Sequence, residues 1–209
     1  MGYFDKIRRA DIFVFLDDVA YPKSGNGMGS WTNRVKVSVQ GRAHWIGCPL
    51  QRQNGLQLIR NVKIASQPWR QKILRTLDAN YRREKNYSGG ISILEPLLNY
   101  ETESLSALNI NAIREITRAL NIPEPKFVLQ SELSVSGSST ELLINIVKAV
   151  GADGYLCGGG AGGYQEDDLF TEENISLVYQ NFQPHSYGRT EDFLPGLSVI
   201  DFLLKCPLS

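Results

Sequence analysis

The 209-residue sequence has no excess of charge of either sign, because its 22 lysines and arginines are offset by 22 aspartates and glutamates. This balance argues against a generic nucleic-acid binder or a protein held on an anionic membrane surface. No apolar run approaches the ~20 residues that span a bilayer, and the chain does not open with a signal-peptide pattern. With 42% hydrophobic residues there is enough apolar material for a core. We therefore predict a soluble, cytoplasmic, globular protein without a membrane span.

Cysteine and histidine are also scarce. The three cysteines, Cys48, Cys157 and Cys206, are odd in number and show no paired spacing, so a disulfide framework is not expected. The two histidines, His44 and His185, belong to no recognisable zinc-ligand pattern. The chain contains no P-loop motif either. The sequence thus predicts no metal site and leaves any cofactor, and the oligomeric state, open.

The first third of the chain has strand patterns. The apolar run from residue 11 to 16 predicts a buried strand that ends at Asp17 and Asp18. Residues 22–30 are rich in glycine and predict a surface loop. Valines at every second position from 35 to 39 predict a half-buried strand, which Gln40-Gly41 connects to residues 43–48 as a hairpin.

Helical periodicity dominates the middle of the chain, and strands alternate with a helix after it. Pro68 is suited to the first position of a helix whose apolar stripe is Trp69, Ile73, Leu77 and Tyr81. A second helix is predicted over 105–120. Strands are predicted at 126–129, 154–157 and 176–179, with a helix from Ser138 to Gly151. A strand–helix–strand order predicts parallel pairing. We expect one α/β domain over 1–209, with a mixed, partly parallel, Rossmann-like sheet and a helical middle section.

Five glycines lie between positions 158 and 163, directly after a predicted strand. Ligands of open α/β sheets bind beyond the carboxyl ends of strands, and glycines let backbone N–H groups approach an anion. Gly158, Gly159 and Gly160 are therefore candidate ligand-binding residues. The polar wall that follows would be supplied by Tyr164, Gln165, Glu166 and Asp167. The alternative, a turn that only connects two elements, is equally compatible with the pattern.

Two further stretches carry candidate functional side chains. Asp17 or Asp18 could act as a base or orient a substrate amine, although a solvated strand end explains the pair as well. Between the loop and the hairpin, Trp31 could stack on a sugar or base, Asn33 could hydrogen-bond a ligand, and Arg34 could bind phosphate or carboxylate. The alternative for that stretch is a tryptophan that anchors the loop beside an exposed arginine.

Two residues could contribute nucleophilic or acid–base chemistry. His185 lies in a predicted loop and is the better general acid or base of the two histidines, although a plain surface histidine fits too. Cys157 follows an apolar strand without a histidine nearby in sequence, so a small buried residue is favoured over a nucleophile.

Several motifs follow one another in a fixed order along the chain. They are Gly2-Tyr-Phe-Asp-Lys-Ile7, Asp17-Asp-Val19 with Tyr21, Trp31-x-Asn-Arg34, Trp45-x-x-x-Pro49, Tyr155-Leu-Cys-Gly158 with Gly160, Ala161 and Tyr164, and Leu197-Ser-Val-Ile-Asp-Phe-Leu203. Taken together in this order, they resemble the WbqC-like protein family. The resemblance implies a role in bacterial O-antigen or other surface-polysaccharide biosynthesis. It further implies transfer of an acyl or aminoacyl group to a nucleotide-activated amino sugar. The alternative is a non-catalytic binding or scaffolding module of a polysaccharide-biosynthesis complex.

The resemblance also implies two departures from the family pattern. Members open with a His-Gln-Pro-x-Tyr-Leu-Pro-like strand before the Gly-Tyr-Phe, so we expect that this chain lacks that N-terminal strand. Relatives tend to carry a histidine in the helix that begins near Trp69, where this chain has Lys72-Ile73. Both departures leave open whether this chain is an active enzyme.

Overall fold

The computed structural model describes residues 1–22, 30–51, 55–158, 165–189 and 192–208. Within these ranges the chain is mixed α/β. The helices are α1 Gly2–Arg9, α2 Trp69–Tyr81, α3 Tyr87–Leu98, α4 Leu105–Ala119, α5 Ser139–Ala149, α6 Asp167–Glu172 and α7 Val199–Lys205. The strands are β1 Ile12–Phe15, β2 Arg34–Val39, β3 Arg42–Gly47, β4 Lys126–Leu129, β5 Gly154–Cys157 and β6 Ser176–Tyr179. No described helix is long and apolar enough to cross a membrane.

The chain divides into two compact units. The first unit comprises Met1, Val19–Asn121 and Pro184–Ser209, and the second comprises Gly2–Asp18 and Ile122–Gln183. The mixed α/β class is confirmed, with parallel and antiparallel strand pairs and a helical section in the middle of the chain. The described strands form three two-stranded sheets. The single domain over 1–209 and its Rossmann-like character stay predictions.

Parallel strand pairs build the second unit. β1 pairs with β4, and β5 pairs with β6 across the short helix α6; both pairs are parallel. The sequence predicts a β–α–β unit from 126–129, the helix after Ser138 and 154–157, whereas among the described strands the two predicted strands pair with β1 and β6 instead of with each other. Stacked Phe15 and Phe127 rings join β1 to β4, with centroids 5.3 Å apart. Under β5, Phe170 is fully buried and stacks on Tyr155 at the same spacing. Phe170 belongs to a buried cluster with Ile144 and Val147 of α5 and with Ile175, against which Tyr155 and Leu177 of β5 and β6 pack.

The first unit packs helices against the predicted hairpin. β2 and β3 are antiparallel, and the turn Gln40-Gly41 between them adopts positive φ at both residues, as a tight two-residue hairpin requires. All four residues of the predicted α2 stripe are buried, and Val37 of β2 is fully buried. Pro68 takes the N-cap position, one residue earlier than predicted. The periodic positions of the sequence thus mark the true core of this unit.

Helices α1, α3, α6 and α7 were not predicted. In α3, Gly89, Gly90 and Pro96 are unfavourable helix residues that mask the signal. Gly90 is required by packing, because a Cβ there would lie 2.7 Å from the Leu203 carbonyl oxygen of α7. The close approach of two helices therefore overrides local helix propensity.

Candidate functional site

The carboxyl ends of β5 and β6 bring together a small group of polar residues in the second unit. Cys157 and Tyr179 are register partners at the ends of these parallel strands, and Gly158 follows β5 directly. The Tyr179 hydroxyl donates to Asp167 Oδ2 at 2.5 Å, and Gln165 Nε2 donates to Asp167 Oδ1 at 2.9 Å. These hydrogen bonds lower the pKa of Asp167 and raise the pKa of Tyr179 to about 12.

Lys6 of α1 reaches the same strand end. Its Nζ lies 3.5 Å from the position that a Cβ on Gly158 would occupy. Partial burial lowers the pKa of Lys6, and the nearby Cys157 thiolate would oppose that shift. Cys157 itself is fully buried, and desolvation raises its pKa although a Gln165 hydrogen bond and the Lys6 charge act in the other direction. The group therefore combines a cation, a glycine backbone, the Gln165 amide and the Asp167–Tyr179 pair around a buried thiol.

Asp17 and Asp18 follow the end of β1, also in the second unit. Asp17 is only 5% exposed, and its carboxylate accepts from the Ser131 backbone N–H at 2.9 Å and from the Ser131 hydroxyl at 2.7 Å. A solvated strand end, one of the two interpretations of the sequence, does not describe Asp17. The physical reason is that β4 runs parallel to β1, so the segment after β4 lies beside Asp17 and supplies both donors.

Asn33 in the first unit holds the segment before β2 in place. Its side-chain oxygen accepts from the Tyr21 hydroxyl at 2.9 Å and from the Ser30 backbone N–H at 2.8 Å. Its amide nitrogen donates to the Cys48 carbonyl at 3.0 Å. Most of the hydrogen-bonding capacity of this amide is therefore used within the unit. A contact between Asn33 and a ligand stays a prediction.

Aromatic and cationic side chains share one face of the β2–β3 hairpin. The Arg34 guanidinium lies 4.4 Å and the Lys36 ammonium 5.0 Å from the centroid of the Trp45 ring, within the range of cation–π attraction. Trp45 is 43% exposed, and Trp31, just before β2, is 70% exposed. The Trp31 ring is thus accessible for stacking on a ligand. The Arg34 guanidinium, by contrast, already packs on the Trp45 ring.

The remaining predicted residues lie apart or outside the described ranges. His185 is exposed in the first unit, on the segment between Gln183 and Tyr187. Gly159, Gly160 and Tyr164 lie outside the described residues. Asp17, Asp18 and Gly158 belong to the second unit, and Trp31, Asn33, Arg34 and His185 to the first. Convergence of these residues on one cleft stays a prediction.

Two residues of the β5–β6 group were not singled out from the sequence. Tyr179 ends a predicted strand, so the rule that ligand-binding residues follow the carboxyl ends of parallel strands could have found it. Lys6 lies in the matching stretch at the start of the chain, but no local pattern connects it to Gly158. Only the packing of α1 in the second unit shows that connection.

One open depression of about 650 Å³ lies elsewhere in the first unit and contains none of the predicted residues. Arg70 lines it together with Asn99, Glu101, Thr102 and Glu103. The Arg70 guanidinium donates to the Leu98 and Tyr100 carbonyls at 2.7 and 3.3 Å, which fixes it to the chain. Over the described ranges, no three histidine, cysteine or acidic residues are grouped to hold a metal ion. None of the described candidate residues therefore lines this depression.

Comparison with curated proteins and with solved structures gives no match. The model of the WbqC-like protein family matches residues 1–209, the whole chain. The protein therefore belongs to the WbqC-like protein family.

Proposed function

We propose that the protein is a transferase that modifies a nucleotide-activated amino sugar by acylation or aminoacylation, in the biosynthesis of a bacterial surface polysaccharide such as O-antigen. The observation that carries this proposal is the polar group at the carboxyl ends of β5 and β6, where a cation and a glycine backbone lie together. Such strand ends are the usual ligand sites of α/β proteins. The three cysteines are free, which fits action in the reducing cytoplasm.

In the proposed reaction the amine of the sugar attacks the carbonyl carbon of an activated acyl or aminoacyl donor. A new amide bond forms, the donor's leaving group departs, and the amine gives up a proton. Asp17, Asp18 or His185 is the proposed acceptor of this proton. A positioned base contributes typically about 10²–10⁴-fold to such a step. Trp31 and Tyr164 would contact the sugar, and Asn33 would hydrogen-bond the ligand. The phosphates would be contacted by Arg34, Gly158, Gly159 and Gly160.

The test is a transfer assay followed by mass spectrometry. Purified protein is mixed with a nucleotide-linked amino sugar and a panel of acyl and aminoacyl donors. We expect a mass gain that corresponds to one acyl or aminoacyl group. The matched control is the same nucleotide linked to a sugar with a hydroxyl in place of the amine, which should gain no mass. Measurable binding of the amino sugar without a mass gain for any donor would contradict a transferase.

The alternative function is a non-catalytic binding or scaffolding module of a polysaccharide-biosynthesis complex. Two observations favour it: both carboxylate oxygens of Asp17 are occupied by Ser131, and Cys157 is buried with a raised pKa. Neither group is then poised to accept a proton or attack a carbonyl. This alternative predicts that alanine at Asp17, Asp18 or Arg34 leaves partner binding intact and that no turnover is found.

A cysteine-dependent acyltransferase would need Cys157 as its nucleophile. Full transfer activity in a Cys157→Ser variant would exclude that mechanism. Loss of activity in a folded Cys157→Ser variant would instead make the thiol part of the site.

A further inference from the structure

The Lys6 ammonium carries a positive charge that no carboxylate among the described residues neutralises. Lys6 is partly buried, yet no carboxylate lies within ion-pair distance of it in the portion of the chain that the structure describes. The neighbouring arginines of α1 behave differently: Arg8 and Arg9 contact Asp5 at 2.9 and 3.7 Å. A partly buried charge without a counterion is costly, so it indicates a site for an external anion.

Gly158 brings the backbone at the end of β5 beside Lys6. A Cβ at this position would lie 3.5 Å from the Lys6 Nζ and 3.7 Å from its Cε, in ordinary contact. With glycine, no side chain of residue 158 stands between the strand end and the ammonium. A strand end with an exposed backbone and an adjacent cation is suited to phosphate, which takes N–H donors and positive charge together.

Gln165 adds a hydrogen-bond acceptor at the carboxyl ends of β5 and β6. Its side-chain nitrogen is used by Asp167, while its Oε1 atom is buried and has no hydrogen-bond partner within the described ranges. Gln165 and Tyr179 both donate to Asp167, and Tyr179 is the register partner of Cys157, so Gln165 lies at the strand ends that Lys6 also reaches. A buried acceptor without a donor costs free energy, which a ligand with a hydroxyl or N–H group would recover.

We propose that Lys6, Gly158 and Gln165 form a phosphate-binding site for a ligand whose phosphate carries a neighbouring hydroxyl or N–H donor. The diphosphate of a sugar nucleotide has this chemistry, and in that respect the inference deepens the proposed function and rests on it. The Lys6 ammonium binds the phosphate as a point charge, and the Gly158 backbone lies beside the phosphate. Gln165 Oε1 accepts a hydrogen bond from the neighbouring hydroxyl or N–H group of the ligand. The negative charge of Asp167 acts against an anion, but Tyr179 and Gln165 donate to that carboxylate and disperse its charge.

The first experiment measures binding to the full chain by calorimetry, with inorganic pyrophosphate, a nucleoside diphosphate and a nucleotide-linked amino sugar as separate probes. We expect all three to bind, and Lys6→Met to weaken each by about 10- to 100-fold, the effect of losing one charged hydrogen bond. Arg8→Met is the matched control, because it removes the same charge from an exposed position of α1 that is paired with Asp5. Equal effects of both substitutions, or none from Lys6→Met, would overturn the proposal.

A second measurement needs no variant. Reductive methylation of the wild-type protein, read by mass spectrometry, reports the accessibility of the Lys6 amine with and without pyrophosphate. We expect pyrophosphate to slow methylation of Lys6 at least about fivefold, and that of Lys126, an exposed lysine of the same unit, by less than about twofold. Unchanged labelling of Lys6 at saturating pyrophosphate would overturn the site even if Lys6→Met failed to fold.

The two proposals can fail separately. If pyrophosphate binds through Lys6 but no donor gives a mass gain, the phosphate site stands and the transferase is excluded. If transfer occurs with an unchanged KM in Lys6→Met, the transferase stands and the site is wrong.

Discussion

A buried hydrogen-bond network in the first unit allows a sharp stability prediction. The hydroxyl of Tyr81 donates to Asp201 Oδ1 at 2.6 Å and accepts from the Ser38 backbone N–H at 2.6 Å. Lys205 Nζ lies 3.3 Å from the same carboxylate, and Tyr81, Asp201 and Lys205 are all buried. One hydroxyl thus connects the end of α2, strand β2 and helix α7. Removing it with Tyr81→Phe changes little volume and tests the network alone.

The expected loss follows from the groups that the substitution leaves behind. The N–H of the half-buried Ser38 loses its partner, and a group left unsatisfied away from water costs about 1–3 kcal/mol. Asp201 loses a charged hydrogen bond but keeps its ion pair with Lys205. The free-energy loss at Asp201 therefore lies at the low end of the same range. We expect Tyr81→Phe to lower the free energy of unfolding by about 2–4 kcal/mol. For a chain of this size that corresponds to a Tm lower by about 4–16 °C.

The assay is urea unfolding followed by fluorescence and circular dichroism, with a thermal scan beside it. Tyr87→Phe is the matched control, since its hydroxyl also donates to an aspartate, Asp78, at 2.7 Å, but the side chain of Asp78 is 43% exposed. Water replaces that partner, so the control should lose less than about 1 kcal/mol. Equal losses from the two substitutions would refute the conclusion that burial of the Tyr81 network, rather than the hydrogen bond itself, sets its contribution.

Three further predictions address the strand-end site and the helix packing. Burial lowers the pKa of Lys6 below its usual 10.5, so the affinity for pyrophosphate should fall as the pH rises through that lowered pKa. Binding titrations at several pH values measure this, and a constant affinity up to pH 10.5 would contradict the prediction. Gly90→Ala should destabilise the protein by about 1–3 kcal/mol in urea unfolding, because its Cβ would meet the Leu203 carbonyl, whereas helix propensity alone predicts a gain. Cys157 should react with iodoacetamide at least about tenfold more slowly in the native protein than in urea, since it is buried with a raised pKa; similar rates by mass spectrometry would refute this.

Local periodicity accounts for the elements that the sequence could predict. The alternating valines place Val37 in the core of the hairpin, and the four-residue spacing from Trp69 to Tyr81 marks the buried stripe of α2. Gly151, with a φ of +72°, lies after the end of α5 where the sequence predicts it. Each of these signals depends on residues close together in the chain, which is why they could be found.

The elements that were missed depend on contacts between distant segments. The eight residues of α1 offer only Phe4 and Ile7 as buried positions, too few for a periodic pattern. In α3 the cost of Gly90 in a helix is offset by the close packing of α7. Likewise, the Asp17–Ser131 contact exists because β1 and β4 pair, and nothing near Asp17 in sequence indicates Ser131.

The same distinction between local and distant contacts explains why Lys6 of α1 belongs to the candidate site in the structure but could not be predicted from the sequence. The sequence could place polar residues at strand ends, but it could not show which of them the fold already uses. The Asp17 carboxylate accepts hydrogen bonds from Ser131, and the Asn33 side-chain oxygen accepts from Tyr21 and Ser30. Both side chains therefore stabilise the chain around them.

Lys6 and Gln165 differ from Asp17 and Asn33 in this respect. No described carboxylate pairs with the Lys6 ammonium, and no described group donates a hydrogen bond to Gln165 Oε1. Burial makes both conditions unfavourable, so a folded chain keeps them only where other contacts outweigh the cost or where a ligand removes it. One ligand that brings an anion and a neighbouring hydrogen-bond donor removes both costs at once. Phosphate alone would satisfy only Lys6, so the nucleotide-linked amino sugar should bind more tightly than pyrophosphate if Gln165 is part of the site.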